Sequence, residues 1–281
     1  MKRLILPIFA CQLITILPPQ ALADEQSLGE QIIEPAYGLW SLAAGVKNSQ
    51  FKAVDNQSAP ALLIFGGYGP IFVEGNRFGY NFYRDGTYFS SLVGNVRSHS
   101  SLSKEEIETS AALDNYQLDE RKNAFEAGIQ LGRRFNNGWV GRLALLQDIS
   151  AKHNSQEIEL SFYRRDSFKP LPNIGSIRLL TTLALQGQNK ELNDYYYGVD
   201  GDEVGASGEV TYQADVGWSA ELELIATYDF SWQLISGQAG PKDWGWYAGL
   251  RHFHYSETVS NSPIVESGLL QQYFIGLGHY F

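Results

Sequence analysis

The side chains best suited to chemistry are five histidines, His99, His153, His252, His254 and His279, and two acidic runs. A histidine can take a proton from a serine hydroxyl or bind a metal. His252 and His254 stand two apart, so they share a face if the chain there is extended. No serine sits beside them with a third group to orient the imidazole, and a metal would need two further ligands. The first acidic run carries Glu105, Glu106, Glu108, Asp114, Asp119 and Glu120. The second carries Glu191, Asp194, Asp200, Asp202 and Glu203. Asp200-Gly201-Asp202-Glu203 offers the oxygen ligands calcium favours but lacks the spacing of a calcium loop. The expectation is therefore no catalytic residue, no cofactor and no metal, with the acidic runs lying in long segments that are either functional or mobile.

The elements that carry these groups begin with an export leader. Lys2 and Arg3 precede a largely apolar run from Leu4 to Leu17, and Ala21-Leu22-Ala23 forms a small-x-small site before Asp24. This predicts a signal peptide over 1–23, cut between Ala23 and Asp24. Gln12 and the Pro18-Pro19 pair make the run too short for a membrane-spanning helix. A lipoprotein reading would need Cys11 as the anchor, and Phe9 fits that poorly. Cys11 is the one cysteine, so removing the leader leaves no disulfide framework. It also removes two cations from a chain whose formal charge is already −10. That balance argues against nucleic acid as a partner.

Strands dominate the remainder, 24–281. Phe125, Ala127, Ile129 and Leu131 alternate with Glu126, Gly128, Gln130 and Gly132. Similar alternation covers Trp139 to Ile149, Ile158 to Phe162, Ile177 to Leu185, Ala220 to Tyr228, Trp244 to Tyr255 and the closing Leu269 to Phe281. Earlier strands are expected at Ala36 to Val46, Ala61 to Tyr68 and Thr87 to Arg97. The aromatic stretch Ile71 to Arg84 reads as two short strands or one bent one. Lys47 to Pro60 reads as a loop. Long segments after Val46, Arg97, Gln186 and Tyr255 alternate with short turns at Asp85-Gly86, Asn136 to Gly138 and Lys169 to Asn173. Long loops at one end and short turns at the other distinguish an outer-membrane barrel from a soluble sandwich. The fold class expected is all-β, a transmembrane antiparallel up-and-down β-barrel of about 12 strands, or 10 if Ala61 to Arg84 is one strand. Its outer face would meet outer-membrane lipid, with Trp139, Trp218, Trp232, Trp244 and Trp246 near strand ends. Its lumen would hold Arg134, Arg142, Arg165, Arg178 and Arg251 against Glu126, Asp148, Glu157, Glu159, Glu221 and Glu223. Such an interior is either filled by ion pairs or left as a narrow wet path.

Two resemblances add to this. The closing strand, with Gly276, Tyr280 and a terminal Phe281, resembles the signal read by the barrel assembly machinery. Four further stretches together resemble the MipA/OmpV family of outer-membrane proteins. These are Arg77-Phe78-Gly79-Tyr80-Asn81, Leu118-Asp119 through Phe125-Glu126-Ala127-Gly128, Tyr195-Tyr196-Tyr197-Gly198-Val199 with Ala206, Gly208 and Tyr212 after it, and Ser262-Pro263-Ile264-Val265. Ser231 to Asp243 looks longer than the family's hairpin there. The resemblance implies an outer-membrane barrel with no enzymatic activity. For one branch it implies a scaffold joining a lytic transglycosylase to a penicillin-binding murein synthase; other members look like adhesins or permeability proteins.

Overall fold

The computed structural model describes residues 37–168, 177–205, 210–229 and 244–280. The leader with Ala23 and Asp24, Ala206 and Gly208, the turn expected at Lys169 to Asn173, the hairpin stretch Ser231 to Asp243 with Trp232, and Phe281 lie outside them. Alternation at a period of two becomes twelve strands: β1 (Tyr37–Lys47), β2 (Gln57–Tyr68), β3 (Ile71–Glu74), β4 (Arg77–Arg84), β5 (Tyr88–Arg97), β6 (Ala124–Arg134), β7 (Trp139–Asp148), β8 (Gln156–Phe168), β9 (Ile177–Gln188), β10 (Gly217–Asp229), β11 (Trp244–Tyr255) and β12 (Leu269–Tyr280). Each pairs antiparallel with its sequence neighbours, and β1 pairs β12 over nine residues, closing a barrel.

One expectation needs correcting. β2 starts at Gln57, inside the segment read as a loop, because Pro60 is accommodated within the strand rather than ending it. The stretch Ile71 to Arg84 is two strands, which settles the count at twelve. Gly75 adopts φ +62° at the turn between them, a left-handed conformation that a side chain resists.

Orientation follows from exposure. Leu62 is 62% exposed, Leu145 58% and Ile275 59%, whereas Ser41 and Ser91 are 0% exposed and Gln130 1%. Apolar residues thus coat the outside and polar ones line the inside, the inverse of a soluble protein. At the short-turn end, His279 stacks on Trp40 with ring centres 6.0 Å apart and meets Trp244 edge-on at 5.1 Å. At the long-loop end, Trp218 packs against His254 at 5.7 Å. These rings sit where aromatic girdles meet the membrane interface.

The β1–β12 seam requires close approach. A Cβ on Gly276 would lie 2.4 Å from the Leu42 carbonyl oxygen and 2.7 Å from Ala43 Cα. Gly276→Val should therefore lower stability by about 1–3 kcal/mol through overpacking. The check is gel mobility without boiling: the folded band should convert to the unfolded one at a lower temperature than in the native chain.

Candidate functional site

The lumen is tied across by charge. Arg77 on β4 meets Glu159 on β8 through both carboxylate oxygens, at 2.9 and 2.6 Å. Arg142 on β7 meets Glu74 on β3 at 2.5 Å and lies 4.2 Å from the centre of the Tyr163 ring. Neither pair joins neighbouring strands, so both cross the interior. Arg251 on β11 bridges Glu221 at 2.9 Å and Glu223 at 2.6 Å on adjacent β10. Nearer the long loops, buried Arg97 bonds Glu126 at 2.8 Å and also Glu157, while His153 Nε2 lies 3.5 Å from Glu126. Charge-assisted pairs of this kind satisfy ions that a low-dielectric interior would otherwise exclude. Between them remains a cavity of about 130 Å³. Its charged lining is Arg77, Arg142, Arg165 and Arg251 against Glu74, Glu159, Glu221 and Glu223.

The expected lumen residues are thus largely brought together, with exceptions. Glu74, Arg77 and Arg97 were not among them. The first two flank the β3–β4 turn, in the stretch whose alternation is shortest. Asp148 makes no ion pair among the described residues; its carboxylate accepts from the backbone N–H groups of Ser150, Lys152, His153 and Asn154 and shapes the 149–155 loop. Arg134 donates to the Gly86 carbonyl at 3.3 Å instead of entering the ladder.

The long segments form a folded cap, on which Glu105, Glu108, Asp114, Asp119, Glu120, Glu191, Asp200 and Asp202 stay exposed while Glu203 is buried. They carry α1 (Lys104–Thr109), α2 (Lys190–Tyr197) and α3 (Glu257–Ser260). Ser103 caps α1 in a reciprocal box with Glu106, and the Asn189 side chain caps α2. Leu102, Leu113, Leu192, Tyr196, Val259 and Ile264 from three different loops are buried in one core with Phe253 and Leu270 of the barrel rim. Tyr197 donates its hydroxyl to Ser100 at 2.8 Å and accepts from Gln50 at 3.1 Å, stitching three loops. Glu203, of the second acidic run, turns inward onto Arg121 at 2.7 Å and accepts from the Asp119 and Asp200 amides. Burial pushes its pKa up, but Arg121 and the amide bonds outweigh this and hold it below the usual carboxylate range.

Among the histidines, His252 contacts the Gln271 side chain at 3.3 Å and His254 packs on Trp218, both on the outer face. No serine or carboxylate bonds either one among the described residues. No group of three or more His, Cys, Asp or Glu suited to a metal occurs among the described residues. Of the assembly-signal residues, Gly276 lies in the seam and the Tyr280 backbone pairs with Leu39.

His99 sits between lumen and cap, stacked on Phe253 at 4.9 Å, with Arg97 Nη1 at 3.4 Å. Burial, then Arg97, Arg251 and Lys47, push its pKa well below 6.5, against a smaller pull from Glu126. An unfolded His99 takes a proton below 6.5 and the folded one refuses it. Cap stability is thus present above pH 6.5 and falls below it, by up to about 1.4 kcal/mol per pH unit. Proteolysis of the 98–123 segment should therefore quicken from pH 7.5 to 5.5, and His99→Phe, which keeps the stacking, should flatten that dependence.

The chain can now be set beside known proteins. The family profile "MltA-interacting protein MipA" matches residues 41–281. The MltA-interacting protein of Escherichia coli (strain K12) is 28% identical over 149 residues, 53% of this chain and 53% of that protein. The Shigella flexneri protein of the same name gives the same values. The chain thus spans about half the length of the curated relatives it matches. Among solved structures, the NanC porin aligns over 85% of this chain and 98% of its own, with TM-score 0.40 and 7% identity. A loop L8 deletion mutant of OmpT from Vibrio cholerae aligns over 88% and 99%, with TM-score 0.33 and 8% identity. The fold itself rests on the strand pairing above. With the profile covering every strand from within β1 to β12, the chain belongs to the MltA-interacting protein MipA family.

Proposed function

We propose that this outer-membrane barrel is a non-enzymatic scaffold of the cell envelope, holding a lytic transglycosylase, and through it a penicillin-binding murein synthase. The observation that carries the reading is the braced interior: two Arg–Glu pairs cross the lumen beneath a cap with its own apolar core. An interior tied this way favours a structural platform over a conduit. The curated relatives, named for interaction with MltA, support the same direction. Partners on the periplasmic side would meet the short turns at Gly69-Pro70, 85–87 and 135–138, or the rim between them. In this reading Gly276, Tyr280 and Phe281 form the signal that delivers the chain to the assembly machinery, after export and cleavage between Ala23 and Asp24.

The rival reading is a narrow channel for small solutes. It is favoured by the polar cavity and by the arginines that line it, Arg165 among them. Two measurements separate them. Detergent-extracted protein should retain a lytic transglycosylase through affinity purification, and reconstituted bilayers should show no steady conductance steps. Steady single-channel steps without a retained partner would replace the scaffold with the channel.

A further inference from the structure

Strand β2 is paired along nearly its whole length on one side and along less than half of it on the other. Towards β1, Gln57 to Gly67 all have register partners. Towards β3, pairing covers Phe65 to Tyr68, and the last bond in that direction is Gly75 N–H donating to the Ile64 carbonyl at 2.9 Å. Backbone groups alternate sides along a strand, so Leu62, Pro60 and Ser58 point the same way as Ile64. None of them has a backbone partner on that side among the described residues. Pro60 lacks an N–H, as suits an edge position.

The gap follows from the four-residue length of β3. β3 and β4 turn back at Gly75-Asn76, partway up the wall, while β2 and β5 run on to Gln57 and Arg97. A notch is left between β2 and β5. Above it, the Gln57 side-chain amide donates to the Glu106 carboxylate of α1, which forms a roof. Twelve residues at about 3.3 Å each, tilted by roughly 40°, give β2 about 30 Å of height. The part paired with β3 supplies less than half of that, so an apolar band about 25 Å tall includes some of the open edge. Hydrocarbon cannot satisfy those backbone groups. The lumen cavity borders the notch from below and from the far side, where its lining is Phe65, Asn76, Asn95, Val96 and His99.

We propose that the notch is a lateral opening through which the polar headgroup of an outer-leaflet amphiphile enters the lumen cavity, its acyl chains remaining in the bilayer against Leu62 and Ile64. The headgroup meets the open backbone edge and the carboxamides of Asn76 and Asn95. The cavity's arginines and glutamates balance, which suits a neutral or zwitterionic headgroup over one with net charge. The inference depends on the barrel lying in a membrane and not on its protein partner.

The test is amide-resolved hydrogen exchange with intermolecular NOE measurement on the full chain in phosphatidylcholine nanodiscs. Leu62 and Ser58 amides should exchange roughly a hundredfold faster than those of Leu63 and Phe65, which face β1. The Leu62 amide should also show cross-peaks to choline headgroup protons. Equal protection of Leu62 and Leu63, or cross-peaks from Leu62 to acyl-chain protons alone, would overturn the proposal.

Discussion

Inside a bilayer, a backbone N–H or C=O without a partner has no water to turn to, at several kcal/mol each. That constraint organises the molecule. It requires β12 to find β1, hence nine register pairs across the seam and a glycine at its tightest approach. It fixes the inside and outside of every strand, since a shift by one residue would turn Leu62, Leu145 and Ile275 inward and Ser41 and Ser91 out to lipid. Where the constraint is relaxed, along the upper edge of β2, the polar cavity reaches the far side of the gap at Asn76 and Asn95.

The interior obeys the companion rule for ions. Charges enclosed by the wall persist because Arg77, Arg97, Arg142 and Arg251 each have a carboxylate in reach, and removing one partner of such a pair typically costs about 3–5 kcal/mol. Ties between β4 and β8 and between β3 and β7 also brace the wall from within, so short β3 and β4 are anchored by side chains where they lack length. The cap continues this bracing outward: Arg97, His99 and Phe253 join the ladder below to the apolar core above.

Much of the barrel was legible because the period of two is written plainly in residues such as Phe125 to Gly132, inside β6, and Trp244 to Tyr255, where the strand bounds match the expectation. The start of β2 was hidden because Pro60 reads as a breaker, yet on an open edge its missing donor goes unused. β3 escaped a firm reading because four residues are too few to show alternation. The cap was hidden for a different reason. Its buried residues lie far apart in sequence and meet only through long-range packing, and the charged residues between them dominate the composition. One local signal was present: Ser103-Lys104-Glu105-Glu106 is a capping box, which marks the start of α1. The inward turn of Glu203 onto Arg121 had no such signal, since 82 residues separate the two.

The central claim is that the last strand closes on the first in one register within the membrane. Leu42→Cys with Leu277→Cys tests it directly, because these positions face each other across the seam. Oxidation of intact outer membranes should yield an intramolecular disulfide in the heat-modifiable, folded species. Failure of this pair to cross-link while Leu42→Cys with Ile275→Cys does so, or formation of intermolecular dimers alone, would contradict it.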